Sequence, residues 1–492
     1  MDYSPVPNFS APKPIAHATL SSNLEHELEF YTIALNRWLY AESVGLDVEE
    51  GGYAAPAEAL ARLYGQLLDH PDTATRYFAV ESWAEARRQA LDARVMAAMD
   101  RHLVVPSLTC SEGPLTWRNW KAFEREARDA AQLAEGFERL VDQSMAIVPA
   151  LEERRAHVRA DFAQHGLTPI HTYGWREGLT PEHLRTFLQR TAEASAAVFQ
   201  SALGEVSQAV FGRTASPAEL RALYLNRMYE PLASLFPRTG GAREAVQSTQ
   251  AAFRANGFDL SHVPVDVESR PRKYPGAFCF PIATPQDVRV SVRIASPHHL
   301  VDMLYHEFGH AVHFSGVRAD LPFIERYWIH SGVHETFSTL FESWLGEPEF
   351  LRTQFGFGSN AVDRLVAFHR FKMLLTNTWH SASALTALDG WLENLTRAEI
   401  EWRYAGYLRA FTGVPMPPGW ARLSPFPSAL SIYPAGYVLA EARVSAWAAQ
   451  LRALGGAQWW RSPAAQAEIR AKVREAAGAL SCCDVFAIPL GR

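Results

Sequence analysis

Lysine is nearly missing from this sequence. Five lysines (Lys13, Lys121, Lys273, Lys372 and Lys472) serve 492 residues, so arginine carries almost all the positive charge, a bias we attribute to base composition rather than to chemistry. The net charge of −6 comes without a basic stripe, which argues against a surface built for nucleic acid or anionic membrane. Cysteine is equally thin. Cys110, Cys279, Cys482 and Cys483 form no C-x-x-C pair, and adjacent cysteines such as the last two rarely bridge each other. That usage excludes a disulfide scaffold and a thiolate zinc site and reads as a reduced, cytoplasmic protein. No apolar run reaches the ~18 residues of a membrane span. The N-terminal stretch has prolines at 5, 7, 12 and 14 and lacks the basic and apolar regions of a secretory signal.

What is present is core material. Apolar residues make up 48% of the chain and charged ones 20%, enough for one large two-lobed domain or two to three ordinary ones. Three stretches differ in texture. Residues 1–20 read as a flexible Pro-rich arm. Residues 21–255 read as a helical lobe, with apolar residues at three- and four-residue spacing in segments such as TWRNWKAFEREARDAAQLAEGFERLVDQSM. Residues 256–492 hold the chemistry-bearing motifs. There Val288, Val290, Val292 and Ile294 alternate with Arg289, Ser291 and Arg293, the period of a half-buried strand, and Phe278 to Ile282 can pair with it across the ATPQD turn. Elsewhere the pattern is helical, so the expected fold is mainly α with one small antiparallel β element.

Directly after the strand comes SPHHLVDMLYHEFGHAVHFSG. Ser296 suits an N-cap, Pro297 the first helical position and Gly316 a helix end. Inside lies His306-Glu307-Phe308-Gly309-His310. Positions four apart share a helix face, so two neutral imidazoles can grip one Zn²⁺, while Glu307 is placed to take a proton from the metal-bound water. The bland alternative is a buried histidine pair. A second helix, SGVHETFSTLFESWLG, brings Glu335 as a third ligand, 25 residues after His310, far enough for a turn and an antiparallel return. Glu342 lies seven residues further on the same face, either orienting a ligand histidine or acting as an ordinary helix carboxylate. His334 is either a hydrogen-bond donor at the site or an unremarkable neighbour. His298, His299 and His313 read as structural or solvent-facing. The strand before the motif suits recognition of a peptide backbone by β-augmentation.

These residues resemble the thimet oligopeptidase and oligoendopeptidase F family of zinc peptidases. The matching pieces are KYPGAFC, YHEFGHAVH, and Glu335, Ser338, Glu342 and Trp344; beyond them, Tyr433-Pro-Ala-Gly-Tyr437 resembles the family's catalytic loop and FAIPLGR its ending. The resemblance implies a mostly helical, two-lobed metallopeptidase around a deep channel that admits short peptides and excludes folded proteins. It implies one Zn²⁺ on His306, His310 and Glu335, Glu307 as general base, and Tyr437 or Tyr433 donating to the oxyanion, one of the two being otherwise a core aromatic. His330 and His334 follow as further donors, and Gly276 and Ala277 of the GAFC strand as substrate contacts.

Two departures stand out. Ser428 occupies the place of a family histidine and Ala440 that of a third tyrosine. They motivate an alternative, a peptide-binding scaffold with weakened turnover. SGVHETFSTLFESW is also similar to the third-ligand helix of the Taq-type metallocarboxypeptidases, with Phe337 in place of their glutamine. Internal cleavage and C-terminal trimming therefore both remain open at this point.

Overall fold

The computed structural model describes residues 20–49, 51–127, 129–225, 227–236, 241–294, 296–476 and 485–486. The Pro-rich arm up to residue 19, Cys482, Cys483 and most of FAIPLGR lie outside them. The fold is mainly α, with a two-stranded and a three-stranded sheet among the described residues. Cys110 and Cys279 are free thiols, and no described helix is long and apolar enough to cross a membrane.

The three-stranded sheet has Asp287–Arg293 at its centre, Val265–Asp266 parallel on one side and Gly276–Ala283 antiparallel on the other. The alternation seen in the sequence decides its faces. Val288, Val290 and Val292 are buried, while Arg289 pairs with Asp287 and Arg293 with Glu112. Lys273 anchors the approach to the edge strand. Its buried ammonium donates to Asp266 Oδ1 (2.7 Å) and to the carbonyls of Asp266, Glu268 and Val292.

The motif helix spans Pro297–Gly316, with Ser296 extended at its N-cap and Pro297 in the first turn. Every residue from Leu304 to Phe314 is buried. A helix with no wet face must be covered all round. The sheet valines, Phe253 of the helix Gly241–Ala255 and the return helix Ser331–Glu342 do this within one core. At about 1.5–3 kcal/mol per fully buried Val, Leu or Phe, that cover fixes the helix that carries the motif.

The long helix Ser359–Leu392 is likewise buried on all sides from Thr378 to Trp391 and runs through a second core. That core joins residues from Val80 to Leu439, so the stretches on either side of residue 255 share it. A third core joins the helices Ser22–Ser43, Ala54–Gly65 and Thr73–His102 to Phe323, Ile324 and Trp328. Sequence texture gave no sign of the hairpin Val104–Cys110 with Gly113–Thr116. Its strands are short and each contains a proline, which removes a ladder donor and obscures the period.

Candidate metal centre and active site

The motif and return helices run antiparallel. His306 meets Glu342, Gly309 meets Ser338, and Phe314 meets His334. Gly309 permits the approach: a Cβ there would lie 2.6 Å from Ser338 Cα and 2.7 Å from the Phe337 carbonyl oxygen. Only glycine lets the two backbones come this close.

That contact brings three side chains to one point. His306 Nε2 and His310 Nε2 each lie 3.5 Å from Glu335 Oε2. All three residues are buried, Glu335 completely. Ligands on bonds of about 2.0–2.1 Å to a tetrahedral Zn²⁺ stand about 3.3–3.4 Å apart, so the donor set fits such an ion without rearrangement.

The surrounding groups aim these donors. His306 Nδ1 donates to Glu342 Oε2 at 2.7 Å; because a carboxylate only accepts, a proton sits on Nδ1, and Nε2 is the nitrogen turned toward Glu335. Ser338 Oγ donates to Glu335 Oε2 (2.9 Å) and the Tyr433 hydroxyl to Glu335 Oε1 (2.5 Å). His334 Nδ1 lies 3.3 Å from His310 Nδ1. Burial pushes the Glu307 carboxyl up to about 7, against the pull of His306.

The three convergent atoms and Glu307 open into a cavity of about 520 Å³. The edge strand lines it with Ala277, Phe278 and Cys279; a helical wall adds Thr32, Asn36 and Leu39 of the first described helix with Glu85 and Gln89 of the third, and Asn36 ties it to the strand by donating to the Pro281 carbonyl. Tyr433, Tyr437 and His334 also line it.

Residues 122–356 match the model of peptidase family M3. Over that stretch the chain is similar to the M3 metallopeptidases. It is thus a peptide-bond hydrolase, and the matched stretch contains the edge strand, the motif helix and the return helix. The match starts well upstream of residue 270 and ends before the tyrosine loop. No curated protein matches the chain.

The other residues singled out in the sequence are placed as follows. His330 does not face the cavity. It caps the return helix, with Nδ1 3.1 Å from the Gly332 amide and 3.0 Å from Glu177 Oε1. Gly276 precedes the lining part of the strand, whereas Ala277 is in it. Ser428 does not line the cavity; its hydroxyl donates to the Pro425 carbonyl. Ala440 is fully buried, as are or nearly are His298, His299 and His313, of which none is solvent-facing. Sequence reading passed over His380, which stacks on Tyr437 at 4.4 Å and lies 3.2 Å from the Tyr224 hydroxyl. A lone histidine inside a long apolar helix carries no local signal.

Proposed function

We propose that this protein is a zinc-dependent oligopeptidase that cuts short peptides internally, with one Zn²⁺ per chain on His306, His310 and Glu335. The carrying observation is the convergence of those three side chains, beside Glu307, at the end of a walled cavity. Bound there, Zn²⁺ supplies Lewis-acid polarisation of the scissile carbonyl and acidifies a water. Glu307, with a carboxyl near 7, takes up the proton of the attacking water and returns it to the leaving amine. The cavity-lining part of the edge strand, around Ala277 and Phe278, holds the peptide backbone by hydrogen bonds on the side not paired with Asp287–Arg293. Tyr437 places a hydroxyl donor at the developing oxyanion, stacked against His380. Tyr433 has its hydroxyl committed to Glu335.

The walls favour internal cuts over C-terminal trimming. A carboxypeptidase needs a free cation to clamp the terminal carboxylate. Arg326 is the one Arg or Lys among the described lining residues, and both oxygens of Glu29 hold it, at 2.5 and 2.7 Å. The test is a mixed peptide library digested by the zinc-loaded protein and read by mass spectrometry. Internal cuts are expected. Single-residue losses from the C-terminus would make it a carboxypeptidase, and no products at all would make it a peptide-binding scaffold.

A further inference from the structure

A second group of possible ligands lies behind the first. Asp302, Glu342 and His369 each offer a ligand atom within 4.8 Å of the others, and all are buried or nearly so. The place of a cation among them is already taken. Lys372, 6% exposed, reaches in from the long helix and donates from Nζ to Glu342 Oε1 at 2.7 Å and to Asp302 Oδ2. The Tyr229 hydroxyl donates to the same Asp302 oxygen at 2.7 Å. Asp302 stands one turn before His306 on the motif helix, and Glu342 ends the return helix. One ammonium therefore joins three helices at the first turn beside a metal ligand.

Burying this network is not explained by stability. Replacing a buried ion cluster with apolar side chains of similar volume is often neutral or stabilising, because desolvation offsets the attraction. What the cluster does supply is direction. Glu342 has two oxygens, one on Lys372 and one on His306 Nδ1, so its plane is fixed by bonds at both ends. Without Lys372 the carboxylate has one tether and can turn away from the imidazole.

We propose that Lys372 is a positioning residue for the metal centre: it clamps Glu342 so that His306 keeps its proton on Nδ1 and its Nε2 directed at the metal. This rests on His306 being a ligand, as proposed above. Outer partners of this kind typically change metal affinity about 10- to 100-fold.

The experiment is zinc titration of the metal-stripped full-length protein against a chromophoric chelator, with circular dichroism to verify folding and the absorption of the Co²⁺-loaded protein as a report on ligand geometry. Lys372→Met should weaken zinc binding about 10- to 100-fold and shift the Co²⁺ bands. Glu342→Gln should do the same, and the double variant Lys372→Met/Glu342→Gln should lose little more than either alone, because the two act in series. Asp302→Asn/Lys372→Met removes both buried charges and provides the answer if the single variant fails to fold. It should still bind zinc about 10- to 100-fold more weakly. Wild-type affinity in that pair would mean Lys372 only neutralises Asp302, and fully additive losses in the Glu342 pair would also overturn the clamp. His306→Ala is the control: if it binds zinc as the wild type does, the ligand assignment has failed rather than the clamp.

Discussion

Gly309→Ala tests how the active site is assembled. The new methyl would sit 2.6 Å from Ser338 Cα and 2.7 Å from the Phe337 carbonyl oxygen, both of them backbone atoms that cannot swing aside. Reaching an ordinary contact of 3.4 Å requires the motif and return helices to part by about 0.8 Å. Overpacking of this kind costs about 1–3 kcal/mol. Ala is a better helix former than Gly by about 1 kcal/mol, so the net loss of stability is modest, about 0–2 kcal/mol. The functional loss is larger. Glu335 rides on the return helix and the two histidines on the motif helix, so the parting falls directly on the 3.5 Å separations of the ligand atoms. Misplacement of about 1 Å costs around a hundredfold in rate. Urea unfolding, zinc titration and kcat on one fluorogenic peptide would be measured together. A small shift in unfolding midpoint with a large fall in zinc affinity and kcat is expected. Wild-type zinc affinity and kcat in a folded Gly309→Ala protein would refute the idea that this contact sets the site.

Other variants separate the roles of neighbouring groups. Glu307→Gln should retain zinc while kcat falls about 10²- to 10⁴-fold, and near-normal turnover would remove Glu307 as the base. Tyr437→Phe should lower kcat about a hundredfold with zinc binding retained. Tyr433→Phe, which loses the hydrogen bond to Glu335, should instead weaken zinc binding; if both variants behave alike, the division of labour is wrong. Glu177 concerns stability against pH. Burial works to raise its pKa, but the Arg443 guanidinium and His330 outweigh that and bring it to about 2, from a usual 4.5. A depressed carboxyl stabilises the fold fully above about pH 4.5 and loses that contribution as pH falls toward 2, roughly 3 kcal/mol in all. Glu177→Gln, which takes the carboxylate away from the buried Arg443 guanidinium, should destabilise the protein by about 3–5 kcal/mol at pH 7, and its deficit against wild type should shrink across that acid range. A deficit independent of pH from 5 to 2.5 would contradict the assignment.

How much of this was legible in the sequence depended on how local the signal was. The motif helix announces both ends within its own residues, Ser296 and Pro297 at one and Gly316 at the other, and its i, i+4 histidines need no tertiary information. The strand pair is equally local, since a period of two and one turn fix it. Glu335 was found from spacing and resemblance together. What escaped depends on distant partners. Lys372 reads as an ordinary helix lysine until it is placed between Asp302 and Glu342, 70 and 30 residues away. The hydroxyl of Tyr433 meets Glu335 across 98 residues, and Arg443 meets Glu177 across 266. His330 was named for its closeness in sequence to the ligand helix, but capping turned its ring away from the cavity. The helical wall of the cavity, built by the first and third described helices, had no sequence signal beyond amphipathic texture.

That helical wall stands apart from the metal centre in the chain. Thr32, Asn36 and Leu39 line the same cavity, and their helix is fastened by Glu29 to Arg326 and by Asn36 to the Pro281 carbonyl. None of these wall residues touches a proposed ligand or the base. On the proposed reading, which peptides are admitted and how they are cut are thus encoded at different places along the chain. Drift in the first helix would then change the diet of the enzyme while its chemistry stays as it was.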